Sequence, residues 1–272
     1  MNNPQIRSAL FVPGNRPERF AKALASAADV VIVDFEDAVP ELDKAMAREH
    51  LSAFLQAQPT AKVWVRVNMA GHTQHPADLA FCTDQPGVCG VMLPKAERAE
   101  QVACAASTGK PVIPIIESAE GLYAVTAIAQ TAGVQRLTYG GLDMSLDLGL
   151  VAGSPGAERM LDQLRFALLL HTRLAGLAPP LETVYARIDD TQGLTHFILG
   201  AQSMGFDGML CIHPRQVAVV HDALAPDQTQ LEWARRVLAG ADDAGAFQLD
   251  GQMIDAPVVQ RARNILAIVS NA

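Results

Sequence analysis

Eight short apolar runs recur along this chain, each separated from the next by enough residues for a helix or a long turn. That rhythm restricts the fold more than any single motif does. The runs cover residues 7–12, 30–36, 62–68, 90–95, 111–117, 135–140, 181–188 and 208–213. Several are continuously apolar rather than alternating, Val30-Val-Ile-Val33 among them. This is the pattern of strands covered on both faces. Helix-like stretches lie at about 17–27, 41–56, 96–107, 119–132, 157–175 and 193–204. Pro17 suits a first helical turn, where its missing N–H costs nothing. The connection at 71–86 reads mostly as loop. The alternation predicts an α/β fold, a (β/α)8 TIM barrel with helices outside.

The barrel accounts for residues 1–225, and 226–272 form a C-terminal helical extension. Within the extension a helix is expected at 228–244, a turn-rich stretch at 245–257 and a last helix at about 258–269. Such a tail is either a cap or an arm reaching a neighbouring subunit.

A length of 272 residues is ordinary for one such barrel. Half of the residues are apolar and 18% are charged, which supports a large core and excludes global disorder. The net charge of −8 argues against a nucleic-acid-binding surface, so an anionic ligand needs a local basic pocket or a metal. No apolar run is long enough to cross a bilayer, and the first residues lack the charged and apolar regions of a secretory leader. Cys82, Cys89, Cys104 and Cys211 show neither CxxC nor zinc-finger spacing. Reduced thiols in a cytoplasmic protein are therefore expected.

In a barrel the strand C-termini converge on one face, where chemistry is found. Glu117 and Asp143 follow the fifth and sixth runs and so meet as neighbours at that mouth. Taken singly, each reads as a surface acid or a helix cap. Together they suit a hard divalent cation, Mg2+, which keeps waters and takes further ligands from substrate. With no histidine pair nearby, zinc is less suited. Arg66 ends the third run, where a planar guanidinium would hold an anionic oxygen. Asp34, Glu36 and Asp37 follow the second run and would orient Arg66 and the metal's waters. A plain ion pair between Arg66 and these acids is compatible with that role. Lys95 ends the fourth run; a salt bridge at the mouth, with Glu117 as a candidate partner, is favoured over a Schiff base. Arg16, in the turn Phe11-Val-Pro-Gly-Asn-Arg16, suits a phosphate weakly. Ile212, His213 and Pro214 end the eighth run, a place where barrels hold phosphate groups. His213 reads as a hydrogen-bonded structural residue more readily than as a base.

The motifs also form an ordered set. Ser8-Ala-Leu-Phe-Val-Pro-Gly14 is followed by Val33-Asp-Phe-Glu-Asp-Ala-Val39 with Lys44 and Arg48, then Arg66-Val-Asn68 and Leu93-Pro-Lys95. Ile116-Glu-Ser-Ala-Glu-Gly121, Gly141-Leu-Asp143, Gly205-Phe-Asp-Gly208 and Ile212-His-Pro-Arg-Gln216 complete it. The set resembles the citrate lyase β-subunit-like family of the HpcH/HpaI aldolase superfamily. The resemblance implies a (β/α)8 barrel with Mg2+ on Glu117 and Asp143. It implies a substrate pocket that includes Arg16, Arg66, Gly141 and the Ile212–Pro214 segment. Arg66 matches the arginine that contacts the acyl-thioester carbonyl. Asp255, in Met253-Ile-Asp255, matches an aspartate that acts in the active site of a neighbouring subunit. Two departures are visible: Ser118 stands where threonine is common, and Glu182 stands where aspartate is common, near the seventh strand.

The function implied is a Mg2+-dependent carbon–carbon lyase acting on a β-hydroxyacyl-CoA of the malyl, citramalyl or citryl type. Its products are acetyl-CoA and a 2-oxo acid, and the reverse condensation is equally open. The partners are thus an acyl-CoA thioester and a 2-oxo acid, with neither nucleic acid nor membrane. The assembly implied is a homo-oligomer, a trimer or hexamer. The alternatives are a thioesterase or malate-synthase-like activity, and a citryl-carrier-protein lyase subunit of a larger complex.

Overall fold

Eight parallel strands pair in chain order and close on themselves. They are β1 Ser8–Pro13, β2 Val30–Asp34, β3 Val63–Arg66, β4 Val88–Leu93, β5 Val112–Ile116, β6 Thr138–Tyr139, β7 Leu181–Glu182 and β8 Gly208–Cys211. Pairing of β1 with β8 shuts the ring. The computed structural model describes residues 5–241 and 245–270. The chain divides into two compact units, Met1–Ala223, which holds the barrel, and Leu224–Ala272.

Every residue of β2 and β5 is buried, because helices cover the outer face and side chains fill the inner one. Inside the ring, Ile32, Trp64, Met92, Ile113, Ile115 and Leu210 pack as one apolar core, with Phe11 and Val184 against it. Gly90 leaves room for Trp64: a Cβ at that position would run into the indole ring.

Four expectations need correction. The connection that reads as loop contains the helix His75–Asp84. Its apolar pattern is weak because it is anchored by polar contacts as well as apolar ones. Asp78 is fully buried and accepts from the Asn68 N–H and from Arg48, while Leu79 and Cys82 pack inward. The seventh apolar run extends to residue 188, but ladder pairing stops at Glu182. The sixth pairs only at Thr138 and Tyr139, with a lone bridge from Val134 to Val112 below it. In place of the single helix expected over 119–132 there are two short ones, Ala119–Tyr123 and Val125–Ala129, which meet at Ala124.

The helix Pro155–Leu174 lies near its expected position, preceded by a helix, Gly141–Asp147, that periodicity does not indicate. A further helix, Pro214–Leu224, follows β8. All four cysteines are free. No helix among the described residues is long and apolar enough to cross a membrane.

The second unit consists of a helix Gln228–Gly240, an antiparallel hairpin and a helix Ala256–Ser270. Ala244, the expected end of its first helix, lies outside the described residues. The hairpin pairs β9 Phe247–Leu249 with β10 Gln252–Ile254. Its turn is Asp250-Gly251, with φ of 51° and 79°, the left-handed pair that a two-residue hairpin of this hand requires. Arg236 fixes the turn through an ion pair with Asp250. Ala234, Val237, Ile254 and Ala262 are the buried centre of this unit.

Candidate active site

Strand register brings Asp34 and Arg66 side by side at the C-terminal ends of β2 and β3. Arg66 donates from Nε to Asp34 Oδ1 and from Nη2 to Asp34 Oδ2, both at 2.7 Å. The same carboxylate accepts the backbone N–H groups of Glu36 and Ala38 at 2.9 and 3.0 Å. Asp34 thus holds both the arginine and the turn that follows β2. The remaining guanidinium nitrogen, Nη1, lies 3.2 Å from Glu36 and 3.7 Å from Asp37. Phe11 supports the group from below, its ring 4.8 Å from the guanidinium carbon. These acids hold the Arg66 pKa above its ordinary value despite burial, which works against the charge.

Lys95 sits just after β4 and donates to Glu36 Oε1 at 2.6 Å, with Asp37 at 3.6 Å. Its side chain therefore pairs with the acidic turn, not with Glu117. Glu117 is met by its backbone instead, where the Lys95 N–H donates to Glu117 Oε1 at 2.6 Å from a left-handed conformation, φ 49°. Beneath the turn, the buried ammonium of Lys44 donates to the carbonyls of Phe35 and Glu36 at 3.1 and 3.0 Å. The acidic turn is thus fixed from three sides.

Glu117 follows β5 directly, and the pairing of Ile116 with Tyr139 sets it beside Gly140. A Cβ on Gly140 would collide with the Glu117 side chain, 2.9 Å from its Cβ. Asp143 is the third residue of the helix Gly141–Asp147 that begins where β6 stops. Glu117, Asp143, Arg66 and Gly141 line one cavity of about 80 Å3. Burial pushes the Glu117 carboxyl up to about 7, with repulsion from Asp143 and Glu36 in the same direction, against the opposing bond from Lys95 N–H.

Arg16 and the segment after β8 do not line this cavity. Arg16 is exposed in the turn after β1. Ile212 and His213 follow β8, where the Gln216 side chain accepts both of their N–H groups, at 2.8 and 3.3 Å. Pro214 starts the next helix, and His213 Nδ1 accepts the Arg215 N–H at 3.2 Å. Asp255 belongs to the second unit, where its Oδ1 accepts the Val258 N–H at 3.4 Å at the start of the last helix.

Glu182 is fully buried in β7 and is not part of the cavity wall. It accepts from Arg165 Nε at 3.0 Å and from the Tyr139 hydroxyl, so it anchors the helix Pro155–Leu174 to the barrel. Periodicity alone does not single out Phe11, Gly140, Thr183 or Gln216. Phe11 is visible in the sequence only as one apolar residue of β1, and Gly140 only as half of a Gly-Gly pair.

A sequence model of the HpcH/HpaI aldolase/citrate lyase family matches residues 7–214. The chain belongs to that family. Among HpcH/HpaI relatives, a citrate lyase subunit beta-like protein of Mycobacterium tuberculosis is 39% identical over 261 residues, covering 94% of this chain and 93% of that one. The mitochondrial citramalyl-CoA lyase of Rattus norvegicus is 27% identical, covering 97% and 86%. The CitE protein of M. tuberculosis, solved in complex with magnesium, acetoacetate and coenzyme A, superposes with a TM-score of 0.84 at 36% identity over 98% of both chains.

The donor set of this HpcH/HpaI member fits a hard divalent cation. A buried carboxylate whose charge is disfavoured by burial and by a second acid gains most from a cation between them. Among the described residues no three His, Cys, Asp or Glu side chains form a complete cage. An open site of two carboxylates is what Mg2+ uses, because it keeps waters and substrate oxygens as its remaining ligands. The cavity wall holds neither histidine nor cysteine, so it does not suit zinc.

Proposed function

We propose that this protein is a Mg2+-dependent carbon–carbon lyase that cleaves a β-hydroxyacyl-CoA to acetyl-CoA and a 2-oxo acid, or joins them in reverse. The observation that carries the reading is one cavity, at the C-terminal ends of the barrel strands, lined by Glu117, Asp143 and Arg66. Glu117 and Asp143 would hold the metal. When bound, Mg2+ supplies Lewis-acid polarisation of the substrate's hydroxy and carboxylate oxygens.

The chain's own groups carry the rest. Cleavage breaks the substrate's hydroxyl O–H bond and the C–C bond: the hydroxyl proton passes to solvent, the oxygen becomes the 2-oxo carbonyl, and the C–C electron pair moves into a thioester enolate. Arg66 stabilises the negative charge that develops on the thioester oxygen. Its fork on Asp34 fixes it beforehand, so it needs no reorganisation as charge builds. Such preorganised help is typically worth ~3–4 kcal/mol of barrier. Asp255 of a neighbouring copy would deliver a proton to the enolate carbon, and would remove it in the condensing direction. That role requires a homo-oligomer, and the family resemblance implies a trimer or hexamer; the composition and cysteine usage support a cytoplasmic location. In this reading 226–272 are the arm that meets the neighbour.

The test is purified protein with Mg2+ and malyl-, citramalyl-, citryl- or hydroxymethylglutaryl-CoA, following both products. Acetyl-CoA (acetoacetate plus acetyl-CoA for the last substrate) released in step with its partner, and stopped by EDTA, is the expected result. Release of free CoA with intact hydroxy acid would make the protein a thioesterase instead.

A further inference from the structure

We infer that Thr183 is a substrate-binding residue whose hydroxyl donates to the carboxylate of the 2-oxo acid fragment. The inference rests on the lyase reading above and adds to it a contact on the wall opposite Arg66.

Thr183 follows β7 directly, is 7% exposed and lines the mouth cavity together with Arg66, Glu117 and Asp143. A hydroxyl accepts hydrogen bonds and donates one hydrogen of its own. On the accepting side, Thr183 Oγ1 takes the Gly141 N–H at 3.0 Å, at the start of the helix that carries Asp143. That bond holds the side chain in place before substrate arrives. The Thr183 backbone N–H donates to Glu182 Oε1 at 3.1 Å. The hydroxyl hydrogen has no acceptor among the described residues. The Tyr139 hydroxyl on the same wall differs, since it donates to Glu182. The side chains of Ile115, Val184 and Leu210, which line the cavity too, offer no acceptor. A buried donor calls for a partner, and here the space it faces is the one the substrate enters.

Strand order says which oxygen that partner is. Arg66 ends β3 and Thr183 follows β7, four strands away in a ring of eight, so the two stand on opposite sides of the mouth. Glu117 and Asp143 come after β5 and β6, between them. A cavity of about 80 Å3 is small enough that a group bound in it meets every wall. With the thioester oxygen on Arg66, the fragment on the far side is the 2-oxo acid. Its carboxylate is charged from start to finish, and a hydroxyl donating to it makes a charge-assisted bond. Because the bond is equally strong in ground and transition states, it lowers KM and leaves kcat nearly untouched. Asp143 does not depend on Thr183 alone, since Asp147 anchors the far end of its helix by accepting the Ala119 N–H at 2.7 Å.

The experiment compares Thr183→Val, which keeps the shape and loses the hydroxyl, with Thr183→Ser, which keeps the hydroxyl. Calorimetry on the whole protein measures Mg2+ alone, then pyruvate and glyoxylate at saturating Mg2+. Thr183→Val should bind the acids about tenfold or more weakly and raise KM for the cleaved thioester by a similar factor. Its kcat and Mg2+ affinity should stay within about threefold of the unaltered protein, and Thr183→Ser should restore acid binding to a similar margin. Acid affinity and KM unchanged in Thr183→Val overturn the inference and leave the lyase reading standing. A loss of Mg2+ affinity as large as the loss of acid affinity overturns it too, and makes Thr183 a positioning residue that acts through Gly141 and Asp143. Failure of serine to restore acid binding has the same effect on the inference. An unaltered protein that cleaves none of malyl-, citramalyl- or citryl-CoA, or binds neither acid, overturns the lyase reading and this inference with it.

Discussion

Arg66 and Asp34 face each other across neighbouring strands in a two-bond fork, both bonds 2.7 Å long. Only a planar guanidinium can make that fork and still present a third nitrogen toward Glu36 and the cavity. Arg66→Lys keeps the charge and loses the geometry. It should lower kcat by about 100-fold or more, with a smaller change in KM, while the circular-dichroism spectrum stays native. A lysine variant with unchanged kcat and KM would remove Arg66 from the chemistry.

Gly140 offers a sharper test of the metal site than removal of a ligand does. Its backbone, φ −98° and ψ 96°, suits any residue, so alanine is barred only by the Glu117 side chain beside it. Gly140→Ala should therefore displace Glu117 and weaken Mg2+ binding about tenfold or more in calorimetry, with a modest loss of Tm. Glu117→Ala and Asp143→Ala should abolish Mg2+-dependent turnover with the fold intact. Unchanged Mg2+ affinity in all three variants would place the metal elsewhere.

Glu182 and Arg165 form a buried pair, with relative side-chain exposures of 0% and 6%. Removal of the acid leaves a cation in the protein interior with only the more exposed Asp162 and Glu158 nearby. Glu182→Gln should cost about 3 kcal/mol or more in urea unfolding. A loss below about 1 kcal/mol would show that Asp162 and Glu158 compensate for it.

At the opposite end of the barrel, Ser8 Oγ lies 2.8 Å from His221 Nε2, and Asp29 is bound by Arg7. Burial holds the His221 pKa below 6.5. Burial pushes the Asp29 carboxyl up, but its bonds from the Arg7 side chain and backbone outweigh that, and it lies below 3.8. In both cases the unfolded chain binds the proton first as pH falls, so both groups give stability that rises with pH. Tm should fall as pH drops from 6.5 through the folded-state value of His221. It should fall again below 3.8 as Asp29 is protonated. His221→Gln should remove the first limb and Asp29→Asn the second. Variant curves that run parallel to the parent across the whole range would refute the assignment.

Asp255 is the acid whose place in the chemistry depends on assembly. An inactive Asp255→Ala chain mixed with an inactive Glu117→Ala chain should regain part of the activity, since some mixed sites combine a sound metal pocket with a sound arm. Differential tags would verify that the chains exchange. Mixed oligomers without activity would mean that Asp255 serves its own barrel or no catalytic step.

The barrel is legible in the chain alone, because eight apolar runs, several of them continuous, spaced by helices have few other ways to bury two faces each. Glu117, Asp143 and Arg66 are legible too, since a charged residue at the end of such a run must lie where the strand leaves the core. The features that escape such reading depend on neighbours distant in the chain. The helix His75–Asp84 has a weak apolar pattern and is held by the burial of Asp78 against Asn68 and Arg48. The Asp250-Gly251 dipeptide allows a hairpin, but pairing of β9 with β10 fixes it. The roles of Lys95 follow the same rule. A lysine's flexible side chain takes whichever acid the fold brings within reach, and here register and the left-handed backbone give Glu36 to the ammonium and Glu117 to the N–H. Glu182 reads in the sequence only as a departure from the aspartate common near the seventh strand, and only the packing of Arg165 and Tyr139 makes it an internal anchor. Local pattern decides which residues reach the barrel mouth; packing between distant segments decides which partner each of them finds there.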